Sequence, residues 1–116
     1  MENEYMINAL NFLITDYKCD YSTVKEGGCC DHVFNNGVFQ IRVCTFEERG
    51  DLNIFLFYNL GRYDINPDSE EPERMSELRK RKKGLKRLFY DRKKYESDFW
   101  TIVAEVTRRK IETVVK

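Results

Sequence analysis

The run Cys29-Cys30-Asp31-His32-Val33-Phe34-Asn35-Asn36-Gly37-Val38-Phe39-Gln40-Ile41-Arg42-Val43-Cys44-Thr45-Phe46 decides how this chain folds. Two strand-like stretches, Cys29–Phe34 and Val38–Phe46, flank Asn35-Asn36-Gly37. Asn-Gly tolerates the positive φ angles of a tight type I′ turn, so the run reads as an antiparallel hairpin. With Asn36-Gly37 as the loop, Asn35 faces Val38, Phe34 meets Phe39, His32 meets Ile41 and Cys30 meets Val43. On the opposite face Asp31 meets Arg42 and Cys29 meets Cys44.

Working outward, a second turn at Glu48-Arg49-Gly50-Asp51 leads into a strand over Leu52–Asn59. A two- or four-residue loop there sets Val43 opposite Leu56, Thr45 opposite Ile54 and Ile41 opposite Tyr58. The two hairpins agree on the faces, because side chains alternate with a period of two. One face gathers Phe34, Phe39, Ile41, Val43, Ile54, Leu56 and Tyr58, the side expected to pack on helices. The other gathers Val33, Gln40, Arg42, Cys44, Phe55 and Phe57, a mixed face too aromatic to be fully solvated.

Upstream, Lys18–Lys25 is a weaker strand in which Cys19, Tyr21 and Thr23 alternate with polar residues, and Gly27-Gly28 ends it. Before it, Met6, Ala9, Leu10, Leu13 and Tyr17 recur at helical spacing, with Phe12 and Ile14 widening the stripe, so Met1–Tyr17 reads as a helix. Downstream, Leu60–Pro72 breaks the strand pattern and spells an acidic loop, and Pro72 suits the first turn of a helix. From Glu73 to the end the pattern is helical: Leu78, Leu85, Phe99 and Val106 lie on a seven-residue grid with Leu88, Tyr95 and Ile102 between them. A break is expected near Glu96-Ser97-Asp98, where Ser97 or Asp98 could cap a second helix. The chain therefore reads as one α+β domain over residues 1–116: an N-terminal helix and a four-stranded antiparallel meander within 1–59, an acidic loop over 60–72, and a basic helical segment over 73–116. That segment forms two helices, or one long broken one, on one face of the sheet.

Charge is divided unevenly along this plan. Met1–Pro72 carry thirteen acids against five bases, whereas Glu73–Lys116 carry fifteen bases against seven acids. Such a split implies either a partner of defined sign or two halves that attract each other. No stretch approaches the roughly 20 apolar residues of a membrane span, so no membrane partner is expected. The start, Met-Glu-Asn-Glu-Tyr, lacks the basic residues and apolar run of a signal peptide, which points to the cytoplasm. The four cysteines, Cys19, Cys29, Cys30 and Cys44, are then expected to be reduced, a Cys29–Cys44 cross-strand disulfide being the formal alternative.

Catalytic and metal chemistry find little support in these residues. His32 is the single histidine, and Cys30 lies two residues before it on the same strand face. A triad would need an orienting group as well, and a buried strand histidine is the simpler reading. The cysteines and His32 lack ligand spacing for zinc, because Cys29 and Cys30 point to opposite faces. No phosphate-binding glycine loop and no nucleophile elbow is present. No enzyme activity, cofactor or metal is expected. The strongest charged motif is Arg79–Arg87, extended by Arg92-Lys93-Lys94, whose Arg79, Arg81, Lys82, Lys83, Lys86 and Arg87 could neutralise phosphates of a nucleic acid.

Residues Tyr5–Tyr58 resemble a pattern found in small immunity proteins of bacterial toxin systems. It comprises Phe12-Leu13-Ile14-Thr15-Asp16-Tyr17, Val33-Phe34-Asn35-Asn36-Gly37, Phe39–Val43 and Glu48–Leu52. The resemblance implies a cytosolic, non-enzymatic protein that binds and blocks a toxin domain, often by offering acids to a basic nuclease. The basic C-terminal helices lie outside the pattern. The expected function is accordingly protein binding through Asp51, Asp64, Asp68, Glu70 and Glu71 with Phe55 and Phe57 on the sheet. Nucleic-acid binding through the basic helix and a homodimeric structural role are the alternatives.

Overall fold

The computed structural model of the chain describes residues 4–46, 51–83 and 92–115. It is an α+β fold built on a five-stranded antiparallel meander in the order β1-β2-β3-β4-β5. The strands are β1 (Asp20–Glu26), β2 (Cys29–Asn35), β3 (Phe39–Phe46), β4 (Asp51–Tyr58) and β5 (Gly61–Asp64). Two short helices, α1 (Glu4–Ala9) and α2 (Phe12–Thr15), precede the sheet. After it come α3 (Pro67–Glu70), α4 (Pro72–Lys83) and α5 (Arg92–Val114).

The first two hairpin turns use positive φ differently. In the β1–β2 turn Gly27 and Gly28 both have positive φ (49° and 81°), as a type I′ loop requires. In the β2–β3 turn only Gly37 does, at 85°. The loop is therefore Gly37-Val38 rather than Asn36-Gly37, with positive φ at its first position as in type II′. Asn36 is recruited into the strand end: its N–H donates to the Phe39 carbonyl at 3.3 Å. Its side-chain oxygen accepts from the Val38 and Phe39 amides at 2.9 and 3.0 Å, and its amide nitrogen donates to the Tyr17 carbonyl at 2.9 Å. The Asn36 side chain thereby ties the shifted turn to the N-terminal segment.

The register consequently slips by two from the expected one. Phe34 pairs with Ile41, His32 with Val43, Cys30 with Thr45, Asp31 with Cys44 and Cys29 with Phe46. In the next hairpin Val43 pairs with Ile54, Thr45 with Leu52, Ile41 with Leu56 and Phe39 with Tyr58. A slip of two keeps every side chain on its face, so the expected faces hold while the partners change. Cys29 and Cys44 are no longer directly opposed, and all four cysteines are free.

The fifth strand corrects the expected loop over Leu60–Pro72. Asn59 and Leu60 both take positive φ (49° and 66°) and form a two-residue turn, after which Gly61–Asp64 pairs with β4. A leucine in the left-handed region is uncommon, which is why the sequence does not announce this turn. Within the remainder of the expected loop, Asn66 caps α3 by accepting from the Asp68 amide at 3.0 Å, and Pro72 opens α4 as expected.

The N-terminal helix is also corrected: it is two short pieces, not one run to Tyr17. Around Leu10-Asn11 the ladder tightens to three-residue spacing, with Leu13 N–H on the Leu10 carbonyl and Ile14 N–H on the Asn11 carbonyl. Asn8 and Asn11 are poor helix formers, and the break lets Met6, Leu10 and Leu13 all face the core. At the other end of the chain the break expected at Glu96-Ser97-Asp98 is absent. α5 runs straight through it, spanned by the Lys94–Asp98 pair at 3.2 Å and Thr101 Oγ1 donating to the Ser97 carbonyl at 2.8 Å.

One buried cluster joins the helices to the three central strands: Met6, Leu10 and Leu13 from the N-terminus; Phe34, Phe39, Ile41, Val43, Ile54 and Leu56 from β2, β3 and β4; Met75 and Leu78 from α4; Trp100, Ile102, Val103, Val106 and Ile111 from α5. Burying a large apolar side chain stabilises by about 1.5–3 kcal/mol each, so this layer carries most of the stability. The seven-residue grid captured Leu78, Ile102 and Val106 but omitted Trp100, Val103 and Ile111. A helix held between a sheet and two other helical segments buries a broad arc rather than a narrow seam. Leu85 and Leu88 lie outside the described residues.

Candidate functional site: the open face of the sheet

Strand alternation gives the sheet a second face, and among the described residues no helix lies on it. Its centre is Val33 on β2, Cys44 and Arg42 on β3, and Phe55 and Phe57 on β4. Val33 is buried; Phe55, Phe57, Cys44, Arg42 and Gln40 are half-buried. The Phe55 and Phe57 rings sit 6.3 Å apart, and the Arg62 guanidinium lies 5.1 Å over the Phe55 ring. Val24, on the same face of β1, is 43% exposed. This is an apolar centre without a cover.

Its electrostatics are acidic. Asp20, Glu26, Asp31, Asp51 and Asp64 occupy open-face positions, against Arg42 and Arg62. Both arginines are engaged: Arg42 donates to Gln40 at 2.7 Å and reaches Asp31 at 3.4 Å, while Arg62 lies 3.9 Å from Asp64. The Asp51 side chain is outside what is described. Asp31 is also the partner of two thiols. Cys29 donates to it at 3.3 Å, and its hydrogen bond raises the Cys29 pKa. Burial, then Asp31, push the Cys44 thiol up to about 12. Both shifts favour the neutral thiol over the thiolate, the form that attacks a substrate or binds a metal. Among the described residues no cluster of three metal-ligating groups exists.

The acids expected in the loop have a different fate. Asp68 pairs with Arg79 on α4. Glu71 holds Arg74 at 3.4 Å and Arg109 at 2.9 Å, and Glu70 lies 3.5 Å from Lys110. Arg74 also pairs with Glu105, whose hydrogen bond raises the Arg74 pKa further. Arg108 reaches Asp16 at 3.3 Å and lies 4.2 Å over the Phe12 ring. The acidic and basic parts of the chain thus neutralise each other along α3, α4 and α5. Of the acids proposed as partner-binding, Asp51 and Asp64 belong to the open face, and Asp68, Glu70 and Glu71 do not.

The basic run is only partly placed. Arg79 is taken by Asp68, and Arg81 pairs with Glu77 at 3.4 Å. Lys82 and Lys83 are in the last turn of α4, and Lys86 and Arg87 lie outside the described residues. The groove between α4 and α5 is lined by acids and bases together, among them Glu73, Glu77, Arg81, Lys94 and Asp98. It presents no one-signed track for phosphates.

A polar network that the sequence only half revealed lies on the covered face. His32, 1% exposed, has Nδ1 at 2.7 Å from the Tyr21 hydroxyl and Nε2 at 3.8 Å from Cys30 Sγ. Burial lowers the His32 pKa, so the ring is neutral, one nitrogen donating and the other accepting. The Tyr21 partner was legible in principle. A two-residue Gly27-Gly28 loop sets Thr23 opposite His32 and Tyr21 diagonally beside it. The grouping has the members of a thiol–imidazole pair with an orienter, but the imidazole has no exposed surface to offer a substrate. It acts as a satisfied buried network.

The chain matches no protein-family model, no curated protein and no solved structure. No helix among the described residues is long and apolar enough to cross a membrane.

Proposed function

We propose that the chain is a non-enzymatic protein-binding module whose docking surface is the open sheet face. The observation that carries this reading is the half-buried Phe55–Phe57 pair on an uncovered face where acids outnumber bases. Aromatic anchors inside a polar rim are the usual composition of a binding hot spot. The acidic rim favours a basic protein surface over nucleic acid, whose phosphates it would repel. A basic toxin domain blocked by an immunity-type protein is a partner of this kind, and a cytoplasmic site of action accords with it.

The test is affinity co-purification from the host cell with the wild type, the Phe55→Ser/Phe57→Ser variant and the Arg79→Glu/Arg81→Glu variant. A defined basic protein retained by the wild type and by the arginine variant, and lost by the phenylalanine variant, is the expected outcome. Loss on the arginine variant alone, with nucleic acid recovered in a salt-sensitive manner, sinks the reading.

A further inference from the structure

β1 forms one edge of the sheet, and among the described residues nothing pairs with its outer side. Glu26 and Cys29 close a two-residue loop, so they form a hydrogen-bonded pair. Alternation then directs the N–H and C=O groups of Tyr21, Thr23 and Lys25 outward. The usual protections are thin here: the interior Tyr21-Ser22-Thr23-Val24 carries no charge and no proline, and Val24 is 43% exposed. The opposite edge is blunt by contrast, since β5 is four residues long and runs into Asn66-Pro67.

Two copies related by a two-fold axis can pair through such an edge in few registers. Full overlap, centred on Thr23, sets Asp20 of each copy against Glu26 of the other, and like charges directly opposed destabilise a sheet. Sliding two residues one way centres the axis on Ser22 and sets Val24 against Asp20, an apolar side chain opposite a carboxylate. Sliding two residues the other way centres the axis on Val24. Val24 then meets Val24, Thr23 meets Lys25 and Ser22 meets Glu26. No like charges are opposed, and the exposed apolar side chain of this edge is covered by its own copy.

We propose that two copies of this chain join antiparallel through β1, centred on Val24, to make one continuous sheet from two five-stranded ones. The contact is isologous and leaves the open faces of both copies side by side. It is small, so the dimer forms in the micromolar range rather than tightly. This inference does not depend on the partner-binding reading.

Sedimentation equilibrium of the full chain, from micromolar to near-millimolar concentration, gives a reversible monomer–dimer equilibrium. Thr23→Pro, which removes an outward N–H, and Val24→Lys, which sets two charges together, both remain monomeric with unchanged circular dichroism. Val24→Cys forms a disulfide-linked dimer under mild oxidation, mapped by peptide mass to residue 24, and Thr23→Cys does not. A wild type that stays monomeric throughout overturns the proposal. So does a dimer indifferent to Val24→Lys, or one cross-linked through Thr23→Cys and not through Val24→Cys.

Discussion

The two faces of one sheet do opposite things with the same strands. On the covered face Phe34, Ile41, Val43 and Leu56 have no exposed surface at all, and helices from both ends of the chain close over them. On the open face the corresponding positions hold Val33, Arg42, Cys44 and Phe55, and only Val33 is buried. Alternation separates the two sets physically, so a residue can change on one face without touching the other. Stability concentrates on the first face, and on the second the aromatic and acidic groups lie uncovered among the described residues.

The largest effect that would break this contrast comes from truncation. Phe34→Ala is expected to cost about 3–5 kcal/mol, because a fully buried ring leaves a cavity. Phe57→Ala is expected to cost less than about 1 kcal/mol, as half-exposed positions do. Urea titrations of both compare them directly, and equal losses would mean that the open face holds the fold together. Next in size is Thr107→Val. The Thr107 hydroxyl is buried with no hydrogen-bond partner among the described residues, so its removal should stabilise by about 1 kcal/mol in the same titration. A loss there would reveal a bond that the hydroxyl makes.

Leu60→Gly tests the turn at the end of the sheet. Leu60 is fully exposed with φ 66°, a conformation that strains any residue with a Cβ. Glycine relieves that strain but loses more entropy on folding, so the net gain should be about 0.5–1 kcal/mol, read as a higher melting temperature. The smallest expected effect is linked to pH. Burial depresses the His32 pKa below its ordinary 6.5, so its contribution is present above that pH and is lost as pH falls through the folded value. Stability measured from pH 7 to 4 should fall less steeply for His32→Gln than for the wild type. Parallel curves would mean that His32 keeps its ordinary pKa in the fold.

What the sequence disclosed and what it hid follow from the range of the forces involved. The faces were legible because alternation is local, and a slip of two residues does not disturb it. The register was not, because Asn36-Gly37 and Gly37-Val38 both offer a glycine to the turn, and the Asn36 bond to the Tyr17 carbonyl that accompanies the second is a contact across the molecule. β5 was hidden behind a leucine in a glycine conformation. The aromatic pair of the candidate site was legible from Phe55 and Phe57 at alternate positions. The withdrawal of Asp68, Glu70 and Glu71 into pairs with Arg79, Lys110 and Arg109 was not, since those partners are set by how α4 and α5 pack, not by spacing.

The most direct test of the open face as a binding surface is the Kd of Phe57→Ala for the co-purified partner, measured with its melting temperature on the same sample. A central aromatic anchor predicts about 30-fold weaker binding or more, with little change in melting temperature. An unchanged Kd in a folded variant would contradict the account and place the partner elsewhere on the molecule.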